Sequence, residues 1–352
     1  MKIESLVKVV SPDAVFEVYP DGNESAALFF EGRKVLSAGR ITTGKFSESS
    51  GLSEKLRKHF ANDGLSAEAE SVNVIPFGCE YHVARQWKFA GNCGELTCDI
   101  AADNGGRIHE LTLEEITFTG RAVSVEYWLL GSAEVITAPA EGVICEGSTL
   151  PVRVKVTFDD GIAAEFYCGD DFWRHNCAAN YPGAAASHRI YAADDGIHWV
   201  RQVLSVPEDQ EVEKRPWRFK ALFGAGKADA AGVNSETSAR FTAEGCFAAP
   251  VLRRNFRAFI RKQQANGVLL TVAGNAVCDD GSHINRPGKA VQHGMIGELF
   301  DEYLWASSAM ARKGGSFAIE SSLPEFSGSV ITANLGKAAC EVADGTQEEF
   351  EL

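Results

Sequence analysis

Val152–Tyr167 reads VRVKVTFDDGIAAEFY. Its first seven residues alternate strictly: Val152, Val154, Val156 and Phe158 on one side, Arg153, Lys155 and Thr157 on the other. Successive side chains of a strand point to opposite faces, so the pattern predicts a strand with one face in a core. Asp159–Asp160–Gly161 supplies turn chemistry, and Ile162–Tyr167 brings the chain back as an antiparallel hairpin.

The same grammar extends in both directions. Val15–Tyr19, a turn at 20–23, Ala26–Phe30, a turn at Glu31–Gly32 and Lys34–Leu36 read as a β-meander. Further hairpins are predicted for Glu95–Ala101 with Arg107–Thr112, for Ile116–Thr119 with Ala122–Leu130, and for Phe256–Lys262 with Val268–Val272 across Asn266–Gly267. Asp-Asp-Gly recurs at 194–196 and 279–281; the flanks are dissimilar and lack spaced calcium ligands, so turn chemistry is the reading. Two helices are predicted. One covers 52–62, with Leu52, Leu56 and Phe60 four apart; the other covers 295–312, with Ile296, Leu299, Phe300, Tyr303 and Leu304 on one stripe. Ser316–Val342 reads as final strands, and 138–149 as a connector inside one domain spanning 1–352. The fold class is mainly β: a large antiparallel two-sheet sandwich with one or two short helices.

The order strand, Pro20–Asp21–Gly22–Asn23 turn, strand, Gly32–Arg33–Lys34–Val35–Leu36 resembles the opening of galactose-mutarotase-like β-supersandwich domains, which include domains fused to several glycoside hydrolases. The resemblance implies a supersandwich fold and a carbohydrate ligand. The histidine-bearing motifs of aldose mutarotases are missing, so no residue roles come with it.

With 48 acidic and 34 basic residues, the chain carries a net charge of −14 and no Lys/Arg run. That argues against nucleic acid and against an anionic membrane surface. No run approaches the ~20 apolar residues of a membrane helix, and the N-terminus lacks signal-peptide features. Nine cysteines without a CxxC pair read as buried free thiols of a reducing cytosol, so a cytoplasmic location is expected. Nucleotide-loop, zincin and nucleophile-elbow motifs are missing, no alternation of strands and helices is evident, and no cofactor is expected.

Candidate chemistry concentrates in Glu165–Asn176, EFYCGDDFWRHN, and the forty residues after it. His175 with Asp170 or Asp171 are the acid–base candidates, since two groups in unlike environments can divide those roles. Trp173, Trp199 and Trp217 could stack on the apolar face of a sugar. Arg174, Asn176, His188, Arg201, Arg218 and His283 could bind its hydroxyls or a carboxylate. Each has a plainer reading: a solvated turn, a core indole, an arginine paired with acid, a hydrogen-bonded histidine. Asp279 with His283 and His293 could form a metal site; a polar loop beside the pocket, or a plain connector, is the preferred reading. The function expected is a carbohydrate-active protein binding a sugar or sugar acid in an open cleft. Epimerase, lyase and hydrolase action are not separable, and the oligomeric state is open. The alternative is a non-catalytic carbohydrate-binding or protein-interaction module.

Overall fold

The computed structural model describes residues 7–10, 13–19, 24–39, 42–43, 46–47, 55–61, 64–75, 79–90, 92–102, 109–129, 132–148, 151–168, 185–205, 217–228, 237–244, 249–264, 267–273, 277–278 and 293–294. It also describes 302, 305–306, 309–310, 313, 317–321 and 330. Two large antiparallel sheets face each other. The first runs β1 (Val7–Val10), β2 (Ala14–Val18), β3 (Glu24–Phe30), β4 (Arg33–Gly39), β11 (His109–Thr119), β18 (Gly196–Ser205), β17 (Ala185–Ala193) and β14 (Gly142–Gly147). Beside β11, β5 (Thr42–Thr43) pairs with β6 (Phe46–Ser47). The second runs β13 (Ser132–Thr137), β12 (Ala122–Leu129), β15 (Arg153–Phe158), β16 (Ile162–Cys168), β19 (Trp217–Lys227), β10 (Cys93–Ala102), β9 (Cys79–Ala90), β8 (Gly64–Ile75) and β7 (Lys55–Ala61). This is the mainly β, two-sheet sandwich the sequence predicts. No helix among the described residues is long and apolar enough to cross a membrane.

The meander at β2–β3–β4 and the hairpins β15–β16 and β17–β18 form as their turn chemistry predicts. Gly161 sits at φ +77°, and Asp160 accepts the Ile162 N–H at 3.1 Å. Between the sheets, Phe16 stacks on Phe89 with centroids 5.1 Å apart and touches Trp87 and Phe223, tying one sheet to the other.

All seven residues of β16 are buried. Ile162, Ala164, Phe166 and Cys168 enter the core between the sheets. Tyr167 faces the other way, into a second core with Leu222, Phe256, Ile260, Leu270 and Phe317. That core lies under a small parallel sheet, β20 (Thr237–Glu244), β21 (Gly267–Ala273) and β24 (Phe317–Ser321), with helix α1 (Pro250–Lys262) as the crossover from β20 to β21. A strand covered on both faces needs apolar residues on both, which explains why IAAEFYC does not alternate as cleanly as VRVKVTF. A separate two-residue ladder joins β22 (Val277–Cys278) to β23 (His293–Gly294).

Several expectations are corrected. Residues 55–61 are a strand, paired with β8, and not part of a helix. Phe256–Lys262 is the end of α1 and not a hairpin strand. The segments on either side of 103–106 do not pair: β10 lies in the second sheet and β11 in the first. Gly120 likewise marks an arch from β11 to β12 in the opposite sheet, and residues 142–147 of the expected connector form edge strand β14. Strands and helices do alternate locally, from β20 through α1 to β21. Within 295–312, the described residues Glu302, Trp305, Ala306, Ala309 and Met310 are helical, as predicted, while the apolar stripe named above lies outside the described residues. Val330, expected in a strand region, is helical.

Candidate functional site

The turn Asp194–Asp195–Gly196 joins β17 to β18. Gly196 has φ +146°, and a Cβ there would run into the Phe118 carbonyl oxygen, so only glycine lets the turn lie against the end of β11. The Gly120 N–H donates to the Asp195 carbonyl at 3.2 Å, fixing the turn to the arch between sheets. Beside the turn, the arch and residues 137–140 enclose an open cleft of about 670 Å³. Its walls are mainly small apolar side chains, Ala122, Ala138, Ala192 and Ala193 among them; Arg121, Thr137 and Asp194 are its polar side chains.

On β18, Ile197 and Trp199 point into the core, which sends His198 to the opposite face of the sheet. Thr117 on β11 and Tyr191 on β17 are its register partners. His198 Nδ1 lies 3.0 Å from Glu115 Oε1, and Nε2 lies 2.7 Å from Asp195 Oδ1. The Tyr191 hydroxyl donates to the same Glu115 oxygen at 2.8 Å, and its ring stacks on the imidazole at 4.8 Å. The hydrogen bond to Glu115 raises the His198 pKa, opposed by burial and helped by Asp195. Both carboxylates are held below their ordinary values, chiefly by their bonds to His198. Tyr191 is pushed up to about 12 by burial and by Glu115. The cluster is an imidazole ring held between two carboxylates, with both ring nitrogens engaged, an arrangement that favours its protonated form.

Three of the predicted residues meet on the inner face of the first sheet. His188 and Arg201 are register partners. Burial lowers His188 to about 4, and its Nε2 is 3.4 Å from Cys145 Sγ. Arg201 donates from Nη1 to Cys168 Sγ at 2.6 Å and lies over the rings of Phe166 and Trp199. Trp199 is wholly enclosed and meets Phe166 edge-on at 5.9 Å. None of the three presents more than 5% of its surface to solvent, so in this structure they are packing groups between the sheets. Trp217 and Arg218 begin β19, opposite Ile100 and Asp99, with side chains outside the described set. Asp170, Asp171, Trp173, Arg174, His175, Asn176 and His283 lie outside the described residues, as does the 279–292 part of the metal reading. Among the described residues, no three His, Cys, Asp or Glu side chains are grouped to hold a metal ion.

Glu165, which opens the EFYCGDDFWRHN stretch, is wholly buried on the other face of the second sheet. Its carboxylate is 3.3 Å from Arg153 Nη2 and accepts the Val330 N–H at 3.0 Å. Arg153, also fully buried, lies 3.4 Å from Glu126 as well. This network ties Val330 to the sheet.

Sequence reasoning missed Glu115, Tyr191 and Asp195. Part of the signal was present: a hairpin centred between Asp194 and Asp195 places Tyr191 across from His198. Glu115 sits 83 residues from His198 and is brought there only by the β11–β18 pairing.

No protein-family model and no curated relative matches the chain. Among solved structures, the chain is similar to an α-N-acetylgalactosaminidase from Bifidobacterium bifidum (TM-score 0.43, 10% identity), covering 89% of this chain and 58% of that one. It therefore spans less than two thirds of that enzyme's length. It is also similar to a protein assigned as an aldose 1-epimerase from Escherichia coli K12 (TM-score 0.39, 9% identity, covering 64% of this chain and 100% of that one). A third is a protein assigned as a mutarotase from Salmonella typhimurium (TM-score 0.41, 11% identity, covering 62% of this chain and 90% of that one). Likenesses at this level carry no residue roles across to this chain.

Proposed function

We propose that this protein is carbohydrate-active and takes a small sugar or sugar acid in the open cleft beside the Asp194–Gly196 turn. The observation that carries this reading is the make-up of the cleft. Its volume of about 670 Å³ falls within the roughly 300–1,000 Å³ of small-ligand sites. Short alanine walls let the C–H face of a sugar ring approach closely. Arg121, Thr137 and Asp194 supply a cation, a hydroxyl and a carboxylate at the rim. An Arg guanidinium suits the carboxylate of a sugar acid, and Asp and Thr suit hydroxyls.

The neighbouring His198 cluster favours an organising role over proton abstraction. A general base needs a free lone pair and a pKa near the working pH. His198 has both nitrogens engaged, and its two carboxylates are held low. In this reading it fixes Asp195, and with it the turn that forms one cleft wall. For catalysis we assign the acid–base roles to His175 with Asp170 or Asp171; without a reaction, the same cleft serves a carbohydrate-binding module.

A thermal-shift screen against neutral sugars, sugar acids and sugar phosphates tests the reading. A ligand at about 100 times its Kd stabilises the native state by about 2.7 kcal/mol, a readily measured rise in Tm. A panel without a responder sinks the proposal. With a responding sugar in hand, His175→Asn separates the two versions: turnover lost with binding kept supports catalysis, and no turnover in the wild type supports the binding module.

A further inference from the structure

Helix α1, PVLRRNFRAFIRK, holds five of the chain's 34 Lys and Arg residues and none of its 48 Asp and Glu residues. In so acidic a chain that is a local reversal of sign. The inner face is accounted for: Phe256 and Ile260 enter the second core, and Arg257 makes a two-pronged bond to buried Glu302 at 2.8 Å and 2.8 Å. The C-terminal carbonyls are accounted for too, since Lys313 Nζ reaches those of Ile260, Arg261 and Gln263. Arg254, Arg261 and Lys262 remain on the exposed face, and no carboxylate among the described residues pairs with them. Arg254 and Arg261 stand seven residues apart, about 10 Å along the helix axis. Half-buried Trp305 adjoins this row, with the Arg257 and Arg261 guanidiniums 5.0 and 5.8 Å from its ring.

We propose that the outer face of α1 docks an anionic polysaccharide, with Arg254, Arg261 and Lys262 pairing to successive uronate carboxylates. The partner class rests on the carbohydrate reading above, but the surface is separate from the cleft. A row of spaced guanidiniums beside an indole suits a sugar-acid chain, which combines carboxylates with stackable C–H faces. A nucleic acid fits less well. Its charge recurs about every 1.7 Å of duplex, far denser than three cations spread over two turns of one helix can match.

The test uses the full chain in affinity electrophoresis and titration calorimetry. The probes are polygalacturonate, a neutral dextran and single-stranded DNA, each at low and at physiological salt. The wild type is expected to bind polygalacturonate, and more weakly as salt rises. The variant Arg254→Gln/Arg261→Gln/Lys262→Gln, altered only at exposed positions, is expected to bind about eightfold more weakly, a factor of about two for each surface ion pair. Equal binding by wild type and variant, or no binding of polygalacturonate, overturns the proposal. Comparable binding of DNA overturns it in favour of an unselective polyanion surface. Binding of small sugars in the thermal-shift screen without polygalacturonate binding sinks this inference alone and leaves the cleft reading standing.

Discussion

Replacing His188 with Gln should remove one specific slice of the protein's acid sensitivity. His188 is buried between the sheets, and burial brings its pKa down from 6.5 to about 4. The folded value lies below the unfolded one, so protons favour the unfolded chain. The stability attached to this residue is complete above the unfolded value and is lost as the pH falls from about 6.5 toward about 4. Each unit of difference is worth about 1.36 kcal/mol, which puts the loss between pH 7 and pH 5 at about 2 kcal/mol. Glutamine keeps a polar group beside Cys145 but does not titrate. The assay is urea unfolding at pH 7, 6 and 5 for wild type and His188→Gln, with midpoints compared at constant m-value. The wild type should lose about 2 kcal/mol more than the variant over that range. Parallel pH profiles would mean that His188 is protonated or solvated in the folded state, and the inter-sheet placement of His188 and Arg201 would fall with it.

Other perturbations probe different parts of the molecule. His198 has the opposite sign: its folded pKa is raised, so its contribution is full below the unfolded value and lost as the pH climbs through the folded one. The stability gap between wild type and His198→Asn should therefore be widest at mildly acid pH, where the imidazole is protonated and Glu115 and Asp195 are still ionised, and close on the alkaline side, as read by unfolding across that range. Gly196→Ala forces a Cβ onto the Phe118 carbonyl at a positive φ and should cost about 1–3 kcal/mol or more, measured as a fall in Tm. Glu165→Ala strips a buried partner from Arg153 and should cost about 3–5 kcal/mol. The same change should speed hydrogen exchange at the Val330 amide, which loses its acceptor.

The sandwich was legible where turn chemistry and alternation agree, as at Val152–Tyr167 and through β2–β4. Two misreadings share one cause. Leu56 and Phe60, like Phe256 and Ile260, are four residues apart, and that spacing puts two side chains on one face of a strand and of a helix alike. Residues 55–61 became a strand through pairing with β8. Residues 256–262 became a helix because Pro250 starts one six residues earlier and the face carrying Phe256 and Ile260 packs over the second sheet. The Gly120 arch was misread for another reason: a turn residue reports that the chain reverses, not which sheet receives the next strand. The candidate site was legible only in its local half. Asp195, Tyr191 and His198 lie within one hairpin, whereas Glu115 and the cleft wall at 137–140 arrive through pairings that no short stretch encodes.

The central claim is that a small carbohydrate occupies the cleft between the Asp194–Gly196 turn and residues 137–140. Ala193→Trp places a large side chain on a cleft wall, and the decisive measurement compares its sugar-induced rise in Tm with that of the wild type. The account predicts a saturable shift in the wild type and none in the variant, whose unliganded protein still unfolds cooperatively. A shift of equal size in both proteins would place the sugar elsewhere and contradict the account.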